Sequence, residues 1–332
     1  MGASEEKIDT SIVVATCSRV GLLRGALESL LAQAREGAPR FEIVVVDDGS
    51  TDETPGLLSE MEAAAQVPFR VVCGTRSGVA AARNLGCSVA RGTWLASFDD
   101  DQVALPGWLA GLRGLAKSTG AACVGGALEL ALPEGFDAGA LGSRARRVLG
   151  EHLPGEAERR YRTGEFPATN NVLIRADVFR ELGGYDTSFA EGGEDKDFFE
   201  RAEAAGHELW FQPQARALHV TPALRLERRN LRWTSLRLGA SDVRLAQRKS
   251  AYLGPLRLAL VRLATLLLRD VWGLTASGGA RRRDVWCSVW YTQGVLRSLG
   301  PMLFPGVVRS EFLGAMDFRA RNGERRERVG RG

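Results

Sequence analysis

The sequence lacks paired cysteines and a glycine fingerprint for dinucleotides, its opening residues do not read as a secretory leader, and each of these argues against a class of protein. Its five cysteines (Cys17, Cys73, Cys87, Cys123 and Cys287) are odd in number and widely spaced, with no Cys-x-x-Cys pair. That excludes a fully bridged extracellular scaffold and argues against a zinc site. Most lie in apolar stretches and read as reduced core thiols. No Gly-x-Gly-x-x-Gly follows the first apolar run; Thr16-Cys17-Ser18-Arg19 stands there instead, which speaks against a dinucleotide-binding oxidoreductase. The opening MGASEEKIDT is acidic and polar, unlike a signal peptide. Glu6 stands where myristoylation favours Ser or Thr. A cytoplasmic location is therefore expected. There is no internal repeat.

What is present suits a folded enzyme-sized chain. The 332 residues are 45% apolar and 25% charged, enough to bury a sizeable core. The net charge of +4 hides an asymmetry. From Pro222 onward 22 Lys and Arg face 8 Asp and Glu, a balance of +14, whereas the first 221 residues carry 22 against 32, or −10. The two parts are built for different partners.

The first hundred residues alternate between strand and helix signals. Apolar runs at 11–16, 41–47, 69–73 and 93–98 are separated by helical spacing at 19–33, 51–65 and 79–90, with Thr51 or Asp52 available as a cap. Continuous apolar strands between helices predict an α/β fold with a parallel sheet covered on both faces. Ligands in such sheets sit beyond the carboxyl ends of the strands. Further on, the pattern predicts a helix at 108–117 and a strand at 121–130. Residues 133–165 read as a mobile loop. Then come a strand at 171–174, helices from Asp177 and over 198–205, and short strands at 208–211 and 215–220.

Four polar clusters fall where strands end. Asp47-Asp48-Gly49-Ser50 follows a buried strand; its carboxylates suit either a nucleotide base edge or simple turn chemistry. Asp99-Asp100-Asp101 follows the fourth strand. Three adjacent carboxylates repel one another, and a hard divalent cation, Mg²⁺ or Mn²⁺, relieves that repulsion and bridges to a diphosphate. The other reading is an acidic solvated turn. Gly192-Gly193-Glu194-Asp195-Lys196-Asp197 opens a helix, where a carboxylate either complements the dipole or serves as general base for an acceptor hydroxyl. His219 ends a short strand and suits either a structural role or a further metal ligand. His152 and His207 lack comparable surroundings.

Taken in order, these clusters resemble the family 2 glycosyltransferases of the GT-A fold over residues 9–220. VVATCSR (13–19) is similar to the family's first strand and turn, with Cys17 and Ser18 in place of Tyr and Asn. FEIVVVDDGSTDET (41–54) is similar to its nucleotide-binding segment and SGVAAARNLGCSVARGTW (77–94) to its Ala-Arg-Asn-x-Gly helix. FDDD (98–101) resembles its Asp-x-Asp motif, and residues 170–206 its acceptor-side block. The resemblance implies a Rossmann-like mixed sheet flanked by helices. It implies that Thr16, Arg19, Asp47, Asp48, Arg83, Asp99 and Asp100 serve the nucleotide sugar. Asp99 and Asp101 with His219 would hold Mn²⁺ or Mg²⁺, and Asp195, with Glu194 the runner-up, would act as base in an inverting transfer. It further implies a donor of the UDP-sugar type and a glycan or lipid-linked acceptor. A non-catalytic sugar-nucleotide or glycan-assembly binder is the alternative.

The domain boundaries expected are 1–220 for the catalytic part, 221–318 for a basic amphipathic helical region and 319–332 for a disordered basic tail. Within 253–274 an apolar helix carries Arg262 and Arg269 seven residues apart, on one face, with Trp272 close by. Arg281-Arg282-Arg283 follow, then Trp286 and Trp290. Such a helix suits either peripheral contact with the inner membrane face or packing on the rest of the chain. No nucleic-acid-binding motif accompanies the charge.

Overall fold

A computed structural model of the chain describes residues 7–36, 39–189, 192–270 and 279–303. In chain order the elements are β1 (Thr10–Thr16), α1 (Val20–Ala32), β2 (Phe41–Asp47), α2 (Thr54–Ala64), β3 (Phe69–Cys73), α3 (Val79–Val89), β4 (Trp94–Asp99), β5 (Gln102–Ala104) and α4 (Trp108–Thr119). Next come β6 (Cys123–Ala131), α5 (Ser143–Val148), β7 (Arg159–Arg160), β8 (Asn171–Arg175), α6 (Ala176–Glu181), α7 (Glu194–Ala204) and β9 (Leu209–Val220). The chain then turns helical: α8 (Ala223–Leu226), α9 (Arg228–Ser250), α10 (Leu253–Thr265) and α11 (Gly279–Leu303).

These elements form two compact units. One comprises the described residues of 1–131, 151–190 and 194–220; the other comprises those of 132–150, 191–193 and 221–332. The helical unit thus takes in 132–150 and 192–193 as well as the region after 220. The expected tail at 319–332 lies outside the described residues.

The first unit is one nine-stranded sheet, ordered β3-β2-β1-β4-β8-β6-β9-β5, with β7 paired to β9. Strands β1 to β4 run parallel, but β8 enters antiparallel between β4 and β6, so the sheet is mixed. Side chains alternate across each strand. Ile12 and Val14 join Leu23, Leu27, Leu58, Trp108 and Leu112 under α1, α2 and α4. Val13 faces the other way with Leu95, Phe179, Phe198 and Phe199, under α3, α6 and α7. The central strands β1, β4 and β8 meet apolar side chains on both faces, which is why such runs read as unbroken hydrophobic stretches.

Several local expectations need correction. The segments at 208–211 and 215–220 are one 12-residue strand, β9, whose register against β6 shifts between Gly126 and Ala127. Pro213 cannot donate to a ladder, so it falls at that irregularity. A Cβ on Gly126 would lie 2.2 Å from the Ala215 carbonyl oxygen, so only glycine permits this approach. The stretch 133–165 is not a featureless loop: it holds a 3₁₀ turn at Ala138–Ala140, α5 and β7. Neither Thr51 nor Asp52 is the N-cap of α2; Glu53 is, while Asp52 accepts hydrogen bonds from the Val20 and Thr54 amides. Cys87, Cys123 and Cys287 are buried, but Cys73 is exposed.

In the second unit α9 and α11 run parallel, from Arg228 beside Trp286 to Val243 beside Val295 and Leu299, with Gly239 against Tyr291 and Gly294 against Leu236. A Cβ on either glycine would lie 2.2 Å from the facing carbonyl oxygen. Val243, Ala259, Val295 and Leu299 form the small core. Asp284 accepts hydrogen bonds from the Arg144 and Ala145 amides and so caps α5. Arg262 and Arg269 do not share a face. The Arg262 guanidinium lies over the Tyr291 ring at 4.4 Å, whereas the Arg269 side chain is 80% exposed, within the π-helical turn Leu266–Asp270. Trp272 lies outside the described residues. No described helix is long and apolar enough to cross a membrane.

Candidate active site

The parallel register places the ends of β1, β2 and β4 side by side: Thr16 pairs with Asp47, and Ala15 with Asp99. The polar residues that follow each strand therefore meet at one edge of the sheet. Two turns are fastened to each other first. Ser18, at φ +52°, donates its amide to Ser50 Oγ at 2.7 Å, and Ser18 Oγ accepts from the Thr51 amide at 3.0 Å. A non-glycine residue at such a φ is uncommon and is held by these bonds.

Asp47 and Asp48 both serve backbone amides. Asp47 Oδ1 accepts from Ser50 at 2.9 Å, the turn bond expected of this motif. Asp48 Oδ1 and Oδ2 accept from the amides of Ser77 (3.1 Å) and Gly78 (2.9 Å) at the start of α3. Asp48 is buried, with its oxygens turned to that helix entrance. The sequence reading had no signal for the Ser77 and Gly78 amides, because a backbone donor leaves no trace in residue type.

The acidic trio splits into three environments. Asp99, half-buried at the end of β4, accepts from Arg83 Nη2 at 2.7 Å. Asp100 is buried, accepting from Thr16 Oγ1 at 2.8 Å and from Arg19 Nη1. Asp101 accepts from Arg19 Nη2 at 2.9 Å and lies 3.4 Å from His219 Nε2. The trio's mutual repulsion is thus relieved by two arginines. Burial pushes the Asp100 carboxyl up to about 7, with Arg19 pulling the other way. Thr16 and Arg19, expected at the donor, hold Asp100 and Asp101. Asp99 meets Arg83, and Asp101 meets Arg19 and His219.

His219 reaches this place because β5 pairs with the end of β9, Gln102 opposite His219. β5 has only three residues and was not legible in the sequence. Asn171, also unanticipated, is fully buried at the start of β8. Its Nδ2 donates to the Ala127 and Ala215 carbonyls, and its Oδ1 accepts from Trp108 Nε1 at 2.7 Å, pinning β6, β9 and α4 together.

Helix α7 begins at Glu194, four residues before its first large apolar side chain. Glu194 is buried and accepts from Arg83 Nη1 at 3.1 Å. Arg83, itself buried, therefore bridges Asp99 and Glu194, and the acidic trio and the acidic pair share one guanidinium. Asp195 is half-buried; its Oδ1 accepts from the Lys196 amide at 2.7 Å. Gly192 and Gly193, at φ +98° and +109°, lead into this turn.

Among the described residues no group of three or more His, Cys, Asp and Glu side chains is arranged to hold a metal by itself. Asp101 and His219, both buried and in contact, supply two donors. That set fits a divalent cation that takes its remaining ligands from substrate phosphates.

A sheet of this topology, with acidic residues gathered at the strand ends, defines a GT-A glycosyltransferase fold. A profile of glycosyl transferase family 2 matches residues 11–183, and the chain belongs to that family. It is similar to the succinoglycan biosynthesis protein ExoM of Rhizobium meliloti (strain 1021), 30% identical over 239 residues, covering 70% of this chain and 72% of that one. It is also similar to the glycosyltransferase AglE of Haloferax volcanii, 25% identical over 201 residues, covering 60% of this chain and 63% of that one. Among solved structures, the mannosyltransferase PcManGT of Pyrobaculum calidifontis, in complex with GDP-Man and Mn²⁺, superposes with a TM-score of 0.62 at 17% identity. That match covers 89% of this chain and 88% of that one.

Proposed function

We propose that this chain transfers a sugar, with inversion, from a nucleotide diphosphate donor to a hydroxyl of a glycan or lipid-linked acceptor in polysaccharide or cell-surface glycan assembly. The supporting observation is the Arg83 bridge, which brings the trio at the end of β4 and the acidic turn of α7 to one place. Donor and acceptor chemistry each need one of these groups, and transfer needs both within reach of one anomeric carbon.

Asp195 is the base. Glu194 is engaged by Arg83, an ion pair that a proton on Glu194 would break. Asp195 uses Oδ1 for a backbone amide, and its Oδ2 has no hydrogen-bond partner among the described residues. It takes the proton as the acceptor oxygen bonds to the anomeric carbon. The bond from that carbon to the diphosphate breaks, and its electron pair leaves with the nucleotide. No sugar–enzyme bond forms.

Asp101 and His219 would hold Mn²⁺ or Mg²⁺, which supplies charge neutralisation for the leaving diphosphate. Arg19 keeps Asp101 in place, and Arg83 holds a positive charge beside Asp99. Asp47 and Asp48 shape the base pocket, Asp48 by fixing the start of α3. UDP-sugars are the first donors to test, with GDP- and dTDP-sugars alongside. The cytoplasmic face of a membrane, met through the helical unit, is the proposed place of work.

Thermal unfolding with each nucleotide sugar and Mn²⁺ identifies the donor by stabilisation. Turnover of that donor, lost in Asp195→Asn, is the expected result. Stabilisation by a donor with no product from any acceptor tried would favour a binding protein instead.

A further inference from the structure

We propose that the helical unit holds the phosphate head of an anionic membrane lipid in a cavity between α9 and α11, bordered by the end of α10. This deepens the membrane contact proposed above and does not depend on the catalytic reading. The cavity measures about 710 Å³, within the range that takes a small ligand or a lipid head with its first carbons.

Its lining is divided by chemistry. Arg228, Arg229 and Arg232 supply three cations, and among the described residues no acidic one lines the space. Arg229 is neutralised by Glu227 at 2.7 Å. Arg228 and Arg232 have no carboxylate partner among the described residues, and both are exposed. Four residues apart on α9, they lie on one helical face and can address a single phosphate. The Arg228 guanidinium rests over Trp286 at 5.1 Å and Trp290 at 5.8 Å, and the two indoles stack on each other. That stacking orients the guanidinium before any ligand arrives.

Leu263, Leu266, Val289 and Leu296 give the lining a hydrocarbon side, with Thr292 and Gln293 adding two polar groups. Next to it, Leu260, Leu267 and Leu268 stand exposed, Leu268 at 78%. A free inorganic anion would gain nothing from these leucines; a chain attached to the phosphate would. Trp286, exposed between the two regions, has the amphipathic character that favours a membrane interface.

The test is co-sedimentation of the full chain with phosphatidylcholine vesicles, with and without phosphatidylglycerol. Binding is expected only with the anionic lipid. Arg228→Gln with Arg232→Gln should lower partitioning roughly 10- to 30-fold. Arg228→Lys with Arg232→Lys keeps the charge but loses the stacked fork, and should still lower it several-fold. The charge-matched control Arg281→Gln with Arg282→Gln, outside the cavity, should lose less than the double Gln variant. Brominated lipid should quench wild-type tryptophan fluorescence, less so after Trp286→Phe.

Lysine variants that bind as wild type, or a control that loses as much, would reduce the site to diffuse charge and overturn the proposal. Absent quenching in the wild type would do so even if the variants failed to fold. Donor-induced thermal stabilisation, measured on the same variants, should be unchanged. Vesicle binding without any turnover would leave this site standing and sink only the catalytic reading.

Discussion

Arg83 and Glu194, 111 residues apart in the chain, form a buried ion pair at 3.1 Å that ties α3 to the first turn of α7. The second edge of the same guanidinium holds Asp99 at 2.7 Å. Removing Arg83 therefore takes a shared guanidinium from two carboxylates, one of them buried. Arg83→Met should cost about 3–5 kcal/mol of stability, the range for breaking a buried pair. Adding Glu194→Gln should return part of that loss. Urea denaturation of both singles and the double variant gives the coupling; strict additivity would mean that the two residues do not interact.

Asp195→Asn is expected to lower kcat by at least about 100-fold, the usual range for a lost general base, while donor affinity stays nearly constant. Steady-state kinetics with calorimetric titration of the nucleotide separates the two quantities. Turnover equal to wild type would remove Asp195 from the mechanism.

Chelation should abolish transfer, and Mn²⁺ or Mg²⁺ should restore it. A readout independent of activity is Mn²⁺ binding by electron paramagnetic resonance in the presence of nucleotide diphosphate. His219→Ala should weaken that binding about 10- to 100-fold, as expected for loss of one metal-site residue. Full activity in EDTA would exclude the metal role.

Acid sensitivity has an identifiable source in the first unit. His152 packs beside Phe211 and shares a 3.1 Å hydrogen bond with Tyr161, and burial pushes its imidazole down to about 4. The unfolded chain takes that proton near the ordinary 6.5, so the folded state binds fewer protons between the two values. Stability is thus intact above about 6.5 and falls as pH drops toward 4, by at most about 3 kcal/mol from this group. Urea midpoints at pH 7.5 and pH 5 should differ less in His152→Gln than in the wild type. An equal difference would place the sensitivity elsewhere.

Local hydrophobic pattern was the most legible part of the fold. β2 falls on 41–47, where Val44, Val45 and Val46 leave little choice, and β3 on 69–73. Helix α7 was read from Phe198 because periodicity begins with its apolar residues, whereas its first turn is charged and glycine-led. β5 is too short to carry a pattern, and Pro213 split β9 into two apparent strands. At the site, residue types and their order were readable, but their pairings were not. That Arg19 would hold Asp100 and Asp101, or that α3 amides would engage Asp48, depends on contacts across 81 and 30 residues of chain. Asn171 gave no signal at all, since its three bonds go to backbone carbonyls and one indole.

The paired glycines of α9 and α11 set a mechanical limit on the helical unit. With backbone touching backbone at Gly239 and Gly294, neither helix can slide or roll past the other without a collision. Any shape change there has to pivot at other points, and the distance between Arg228 and the indoles it covers is fixed like the jaw of a clamp. Widening that jaw with Gly294→Ala should loosen the whole unit at once.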